Sequence, residues 1–289
     1  MKNLINIVDK KLEEYLQTSY PETIFEAMKY TLMLPGKRLR PVMCLETARM
    51  LGGNIEQALP TACAIEMLHV QSLIHDDLPC MDNDDFRRGK PSNHKVYGEA
   101  NAVLAGDALL TFAPQVIIEK SQNLPAEILL KLVHEYTKFA GAYALIAGQV
   151  VDIESESGNL TKSAEETLDF IHLNKTAALF RLSIRTGAII AGVSDNTLTE
   201  LDNFAKNFGL AFQIYDDIMD EVSTFEELGK TIGKDKNSGK LTYVSLYGLN
   251  EAKKKFSLLI NDCYDIVDKY KSEIFKNILD KLRDRILGA

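Results

Sequence analysis

The stretch PTACAIEMLHVQSLIHDD, residues 60–77, decides the fold of this 289-residue chain. Apolar side chains occupy nearly every side of the helix that it would form, a pattern typical of a helix buried inside a protein. The stretch ends in Asp76 and Asp77, and Pro79 then disfavours helical geometry at the residue before it. We therefore predict a central buried helix from Pro60 that carries two carboxylates to its C-terminal end.

The residues that follow this helix place acids directly beside bases. Residues 75–90 read HDDLPCMDNDDFRRGK, in which five aspartates precede Arg87, Arg88 and Lys90. Five ionised carboxylates so close together are unfavourable in a fold unless a cation neutralises them, and hard divalent ions prefer oxygen ligands. The structural alternative is a solvated acidic loop, since runs of charge usually lie on wet surface.

Basic residues also cluster upstream of the central helix, in LMLPGKRLRP at residues 32–41. A Pro-Gly pair breaks the helical pattern there. Lys37, Arg38 and Arg40 follow within four residues. The cluster is a candidate anion site, and its structural alternative is a basic surface turn.

A second acidic group lies in FQIYDDIMD, residues 212–220. Asp216 and Asp217 precede Asp220 by four and three residues, so their carboxylates can converge on one edge of a helix. Like charges at this spacing destabilise a bare helix, so this group also indicates a bound cation. Lys175 lies in another apolar helical pattern, and a buried lysine is rare without a partner.

Helical periodicity continues through the rest of the chain, without a convincing run of alternating β-branched residues. The predicted fold class is all-α: a single domain over residues 1–289, a bundle of ten or more helices. One helix is predicted to run from Pro125 to about Val150, and Ser163 with Glu166 predicts a capping box. The predicted helices begin near residues 4, 22, 41, 60, 100, 125, 163, 197 and 250.

Composition excludes several classes of protein. The net charge of −8 argues against a general nucleic-acid binder, which needs clustered Lys and Arg. The scattered cysteines, without CxxC pairs or His-Cys spacing, indicate neither a zinc site nor a disulfide framework, and a reducing cytoplasm fits best. The N-terminus does not resemble a signal peptide, and no segment approaches the roughly 18 apolar residues needed to span a bilayer. We expect a soluble protein.

Two acidic groups and many cations together favour one kind of chemistry. Mg²⁺ is usually bound through one or two carboxylates together with the phosphate oxygens of a substrate. The cations exceed what one phosphate group needs, which suggests two diphosphate substrates, one bound through metal and one by side chains alone. An apolar bundle interior would accept a hydrocarbon tail. The combination points to prenyl chemistry.

The motifs resemble those of a known family. DDLPCMD followed by RRGKP, together with FQIYDDIMD, resembles the two aspartate-rich motifs of the trans-prenyl diphosphate synthases of the farnesyl and geranylgeranyl type. GKRLRP, HVQSLIHDD, HLNKTAALF and LGKTIGKD match further family motifs in the same order, so the resemblance covers nearly the whole chain. One DDxxD is weak evidence, but the joint set is specific. The resemblance implies an isoprenoid-synthase fold around a central apolar cavity, and a homodimer.

The resemblance also implies a role for each matching residue. Mg²⁺, as about three ions when substrate is bound, would be held by Asp76, Asp77, Asp82 and Asp216, with Asp217 and Asp220 in support. The allylic diphosphate would be contacted by Arg87, Lys175, Thr176, Gln213, Lys230 and Lys240. Isopentenyl diphosphate would be bound without metal by Gly36, Lys37, Arg40, His69 and Arg88.

Product length depends on the residues one helical turn before Asp76, which are Gln71 and Ser72. A turn rises about 5.4 Å, comparable to an extended isoprene unit, so these residues should form the floor that stops growth. Bacterial farnesyl synthases of this type often have an aromatic residue at the position of Gln71, and geranylgeranyl synthases an unbranched, non-aromatic one. Gln71 departs from the farnesyl pattern, but the overall length, which is like that of the bacterial enzymes, favours farnesyl diphosphate, a C15 product, with the C20 product as the alternative.

Three other functions would each share part of this sequence pattern. A terpene cyclase would share the bundle and one acidic motif, but the second DDxxD argues against it. An HD-type metal phosphohydrolase could use His69 and the His75–Asp76 pair, yet it would leave the cations and the second acidic group unexplained. A non-catalytic regulatory subunit tends to lose the acidic motifs, whereas both are intact here.

Overall fold

A computed structural model describes residues 1–158, 160–222 and 240–288 of the chain. The described residues are mainly α-helical with one short antiparallel hairpin, which confirms the predicted all-α class. They belong to two compact units, Met1–Tyr136 with Thr186–Gly192 and Thr137–Arg185 with Val193–Ala289. The predicted central cavity and the single domain stay predictions.

The helices and strands of the described residues have the following bounds. In chain order they are α1 Lys2–Tyr15, α2 Glu22–Leu32, α3 Leu39–Met50, α4 Ile55–Asp76, β1 Phe86–Arg87, β2 Lys90–Pro91, α5 Asn93–Tyr97, α6 Glu99–Lys120, α7 Ala126–Ala140, α8 Leu145–Glu156, α9 Ala164–Ile171, a π turn His172–Thr176, α10 Ala177–Ile190, α11 Asp195–Val222, α12 Tyr243–Tyr247, α13 Leu249–Tyr270 and α14 Glu273–Gly288.

Helix α4 is the predicted buried helix, but it begins earlier than predicted. The side chain of Asn54 accepts a hydrogen bond from the backbone N–H of Glu56 at 2.9 Å and so caps the helix before Ile55. Pro60 therefore lies inside α4 rather than at its start. Helices α3 and α6 pack along α4, which buries most of its length.

The single helix predicted from Pro125 to Val150 is two helices in the structure. Helix α7 ends at Ala140 and α8 begins at Leu145, because Gly141 follows α7 and Ala144 has non-helical torsion angles. Glycine favours such breaks, since it loses more conformational freedom in a helix than other residues do. The break gives α8 its own direction, and α8 carries residues of the candidate site.

The segment that begins at Ser163 has the predicted capping box. The Ser163 side chain accepts from the backbone N–H of Glu166, and the Glu166 carboxylate accepts from the backbone N–H of Ser163. Helix α9 then widens into the π turn before α10, and such turns occur frequently at functional sites. Helix α8 lies so close to this turn that a Cβ at Gly148 would overlap the backbone of Lys175.

Helix α6 differs from the expectation that no segment could span a bilayer. Its 22 residues are long and apolar enough to do so by length and composition alone. Core helices of soluble proteins share both properties, and α6 packs along α4 with Ala102, Ala105 and Leu109 buried. Length and composition therefore do not assign α6 to a membrane.

Candidate active site

The first aspartate-rich motif forms where α4 ends. The chain turns back after Pro79, so that the backbone N–H of Asp82 donates to the carbonyl oxygen of Asp76 at 2.8 Å. This hydrogen bond brings the backbone of Asp82 back to the end of α4. Asp76 and Asp82 are both partly exposed, which places two accessible carboxylates in one region.

Asp77 has different surroundings from its neighbour Asp76. Its side chain is 1% exposed, and Arg87 Nε donates to its Oδ1 at 3.0 Å while Arg87 Nη2 donates to the same oxygen. Burial raises the pKa of Asp77, and the hydrogen bond and charge of Arg87 oppose that rise. Asp77 thus fixes Arg87 on the β1–β2 hairpin, and its metal-binding role stays a prediction.

The residues predicted to bind isopentenyl diphosphate partly come together in the same unit. Arg88 Nη1 donates to the carbonyl oxygen of Leu34 at 3.2 Å, and it lies 2.8 Å from the position that a Cβ at Gly36 would take. Burial and the charges of Arg40 and Arg88 hold the pKa of His69 well below its usual value. His69 is therefore neutral at pH 7 in a region of positive potential that suits an anion.

Arg38 corrects the prediction of a three-cation anion site. It is buried in the left-handed backbone region at φ 45°, and it donates to Asp9 Oδ1 at 2.7 Å and to Glu66 Oε1 at 2.9 Å. The remaining guanidinium nitrogen, Nη2, donates to the backbone carbonyl oxygens of Leu32 and Leu34. Arg38 therefore shapes the loop, and Lys37 and Arg40 remain as the candidate anion ligands.

The second aspartate-rich motif repeats the contrast between an outer and an inner carboxylate. On α11, Asp216 is exposed and Asp220 partly exposed, whereas the side chain of Asp217 is 4% exposed. Asp217 Oδ2 accepts from the backbone N–H of Tyr243 at 2.8 Å. Asp217 therefore binds α12 to α11, while Asp216 and Asp220 present the accessible oxygens.

A hydrogen-bonded chain joins Asp217 to the π turn. Gln213 Nε2 donates to Asp217 Oδ1 at 2.9 Å, and Thr176 Oγ1 donates to Gln213 Oε1 at 2.6 Å. These bonds fix the orientation of the Gln213 amide. Thr176 and Gln213, both predicted site residues, are thus held in direct contact.

Asp152 is a site residue that the sequence reasoning missed. Lys175 Nζ donates to Asp152 Oδ2 at 2.6 Å, and Lys240 Nζ lies 3.8 Å from the same oxygen. Asp152 Oδ1 and both polar atoms of the Gln149 amide are buried and have no hydrogen-bond partner among the residues that the structure describes. The signal was an acid in the apolar pattern of GQVVD, residues 148–152. Asp152 brings two predicted diphosphate ligands to one point.

The remaining predicted residues are placed as follows. Gln71 Nε2 lies 3.1 Å from His75 Nδ1, and Ser72 Oγ donates to the carbonyl oxygen of His69 at 2.8 Å. Lys37 is exposed on the loop before α3. Lys230 lies outside the described residues.

The carboxylates of the two aspartate-rich motifs are the candidate ligands for Mg²⁺. Within residues 1–158, 160–222 and 240–288, no group of three or more His, Cys, Asp or Glu side chains is arranged to hold a metal ion. Mg²⁺ is usually bound by one or two carboxylates, with waters and substrate phosphate oxygens completing the octahedron. The oxygen-only donors Asp76, Asp82 and Asp216 fit that chemistry.

Comparisons with known proteins identify the family of the chain. The family model described as polyprenyl synthetase matches residues 21–282. A geranylgeranyl diphosphate synthase of Cyanophora paradoxa is 44% identical over 256 residues, 89% of this chain and 85% of that protein. A farnesyl diphosphate synthase of Geobacillus stearothermophilus is 46% identical over 255 residues, 88% of this chain and 85% of that protein.

The fold matches solved structures as well. The apo structure of an FPP/GFPP synthase from Zymomonas mobilis gives a TM-score of 0.87 at 32% identity, covering 98% of this chain and 97% of that one. Fold, ordered motifs and relatives lead to one result: the chain belongs to the polyprenyl synthetase family of prenyltransferases.

Proposed function

We propose that this prenyltransferase condenses isopentenyl diphosphate with dimethylallyl and then geranyl diphosphate, head to tail and in the E configuration, to give farnesyl diphosphate. The observation that carries this proposal is that each aspartate-rich motif presents accessible carboxylates in a unit where other acids hold cations in place. Asp76 and Asp82 accompany Arg87 in one unit. Asp216 and Asp220 belong to the unit in which Asp152 gathers Lys175 and Lys240.

The cations of the site stabilise the leaving group. As the allylic C–O bond breaks, negative charge develops on the departing diphosphate, and Arg87, Lys175 and Lys240 are the proposed contacts for it. Preorganised charges of this kind lower the barrier because they need no reorganisation during the reaction. Bound Mg²⁺ would add further neutralisation of the diphosphate oxygens.

The second substrate supplies the nucleophile. Lys37, Arg40 and Arg88 hold the diphosphate of isopentenyl diphosphate, and neutral His69 adds a hydrogen-bonding group. The isopentenyl double bond attacks the allylic cation, and loss of a proton, to the departing diphosphate, completes the new isoprene unit. Binding both substrates in register supplies much of the rate by orientation.

Product length is proposed at C15, with C20 as a second candidate. The C15 proposal is supported by the farnesyl diphosphate synthase relative, which matches 88% of this chain. The C20 candidate is supported by the geranylgeranyl diphosphate synthase relative and by Gln71, a non-aromatic residue at the predicted floor. Product analysis separates the two.

We further propose a cytoplasmic homodimer. Exposed apolar residues on α6 and α7, including Leu104, Ile118 and Leu130, offer a surface for a second copy. The four cysteines are free thiols, as a reducing compartment would keep them. The acidic chain gives no general surface for nucleic acid.

One incubation tests the proposed function. Purified protein is mixed with Mg²⁺, isopentenyl diphosphate and dimethylallyl diphosphate, and released pyrophosphate and prenyl products are measured by chromatography. We expect both to appear, with C15 as the main product. An Asp216→Asn variant serves as the matched control and should release little pyrophosphate. Absence of pyrophosphate and of longer prenyl products from the unmodified protein would exclude the proposal.

A further inference from the structure

The ring of His75 is held from two sides. His75 Nε2 lies 3.0 Å from the backbone carbonyl oxygen of Val103 on α6. A carbonyl only accepts, so Nε2 carries the proton and Nδ1 presents a lone pair. Nδ1 lies 3.1 Å from Gln71 Nε2, which can only donate. The α6 carbonyl thereby fixes the orientation of the Gln71 amide.

Gly106 makes room for this arrangement. A Cβ at position 106 would overlap the imidazole ring of His75, with the ring atoms nearer than any side chain tolerates. Glycine at this point of α6 therefore lets the ring lie between the two helices. His75 links α4 to α6 through a backbone carbonyl on one side and Gln71 on the other.

Gln71 is the residue at which product length was predicted to be decided. Its amide is turned toward His75, one helical turn closer to Asp76 and on the side of α4 that packs along α6. An amide that has a hydrogen-bond partner in the protein has no need to turn into the path of a hydrocarbon chain. An amide without that partner re-orients until it finds water or another acceptor.

We propose that His75 is a positioning residue for product length, which holds Gln71 toward α6 and so keeps it out of the path of the growing chain. The inference rests on the proposed function, because it concerns where elongation stops. It assigns His75 no contact with substrate or with metal. Gly106 and the carbonyl of Val103 contribute only indirectly, because they hold the imidazole ring of His75 in place.

A double-mutant cycle tests this role. Relative to the unmodified enzyme, His75→Leu should raise the ratio of the shorter to the longer of the two main products about threefold, a change that a small difference in barrier height produces. In a Gln71→Met background, where position 71 makes no hydrogen bond to His75, the same substitution should leave the product ratio unchanged. Such non-additivity is the signature of residues that act together.

Three further variants separate positioning from a merely structural role. His75→Asn keeps an acceptor near the place of Nδ1 and should restore the product ratio toward that of the unmodified enzyme. Gly106→Ala displaces the ring and should shorten the product as His75→Leu does. Asp107→Asn is the matched control on α6, since its carboxylate is 61% exposed and 3.9 Å from Nε2, and it should change nothing.

Failure of this inference can be distinguished from failure of the proposed function. An active His75→Leu enzyme with an unchanged product ratio overturns the inference, and so does an equal shift in the Gln71→Met background. If His75→Leu does not fold, His75→Asn and Gly106→Ala, judged against Asp107→Asn, decide by the same ratio. Failure of the unmodified protein to make any prenyl product would instead exclude the proposed function.

Discussion

Asp76 and Asp77 are neighbours in sequence, but substitution of the first should affect turnover and substitution of the second should affect stability. Asp76→Asn removes an accessible carboxylate and should lower kcat about 100-fold, while the melting temperature stays the same. Asp77→Asn leaves the partly buried Arg87 with only the more distant carboxylate of Asp84, 3.5 Å away, and should lower the free energy of unfolding by about 2 kcal/mol. Steady-state kinetics and chemical denaturation of both variants measure this contrast. Equal stability of the two would contradict it.

The pH dependence of stability should carry a contribution from His172. Burial lowers the pKa of this side chain from 6.5 to about 4, so the unfolded state binds a proton more readily between these values. The free energy of unfolding should therefore fall as pH drops from about 6.5 to 4, by up to about 3 kcal/mol. Denaturation curves at several pH values measure the slope, which His172→Gln should reduce. An unchanged slope in that variant would refute the assignment.

At the scale of residues, the sequence identifies the chemical groups but not which of them turn inward. The motif residues were found from their types and spacing. The burial of Asp77 and Asp217 depends on Arg87 and on the backbone of Tyr243, which are separated from them by 10 and 26 residues. No local pattern contains that information. Asp152 was missed for the same reason, because its partners Lys175 and Lys240 come from distant segments.

At the scale of elements, the close approach of α8 to the π turn is a contact that should be sensitive to substitution. A Cβ at Gly148 would meet the backbone of Asn174 and Lys175, which cannot rotate away. Gly148→Ala should lower the free energy of unfolding by about 1–3 kcal/mol and also reduce kcat, since Lys175 and Thr176 must shift. Thermal unfolding and turnover are the measurements.

The matched control lies on the same helix. Val150 is exposed on α8, so Val150→Ala should change the free energy of unfolding by no more than about 0.5 kcal/mol. If Gly148→Ala behaves like Val150→Ala, the close approach has no energetic importance.

The elements also show what periodicity can and cannot predict. Ser163 and Glu166 form the predicted capping box, because a cap is decided by residues three apart. The break between α7 and α8 was missed, since the apolar pattern continues through Gly141. The early start of α4 was missed because Pro60 was taken as a first residue, whereas Asn54 supplies the cap.

At the scale of the whole molecule, the proposed homodimer gives a further test. Leu104 and Ile118 are 54% and 52% exposed and lie two heptads apart on α6, so both face the same way. Leu104→Glu with Ile118→Glu should shift the protein from dimer to monomer, because burying two unpaired charges opposes association. Sedimentation velocity measures the change.

A charge placed elsewhere controls for a general effect. Leu258 is 56% exposed on α13, and Leu258→Glu should leave the oligomeric state unchanged. A dimer that survives the α6 double substitution would place the interface on another surface.

The inner aspartates have a consequence for how such motifs are inherited. An aspartate-rich motif of this kind is usually regarded as a signature of catalysis, yet Asp77 and Asp217 each hold a part of the fold together. A lineage that lost its enzymatic activity but kept its shape would be free to change Asp76 and Asp216 first. The inner aspartate would then persist as the remaining part of the ancestral motif. Part of the sequence motif can therefore be retained after the enzymatic activity is lost.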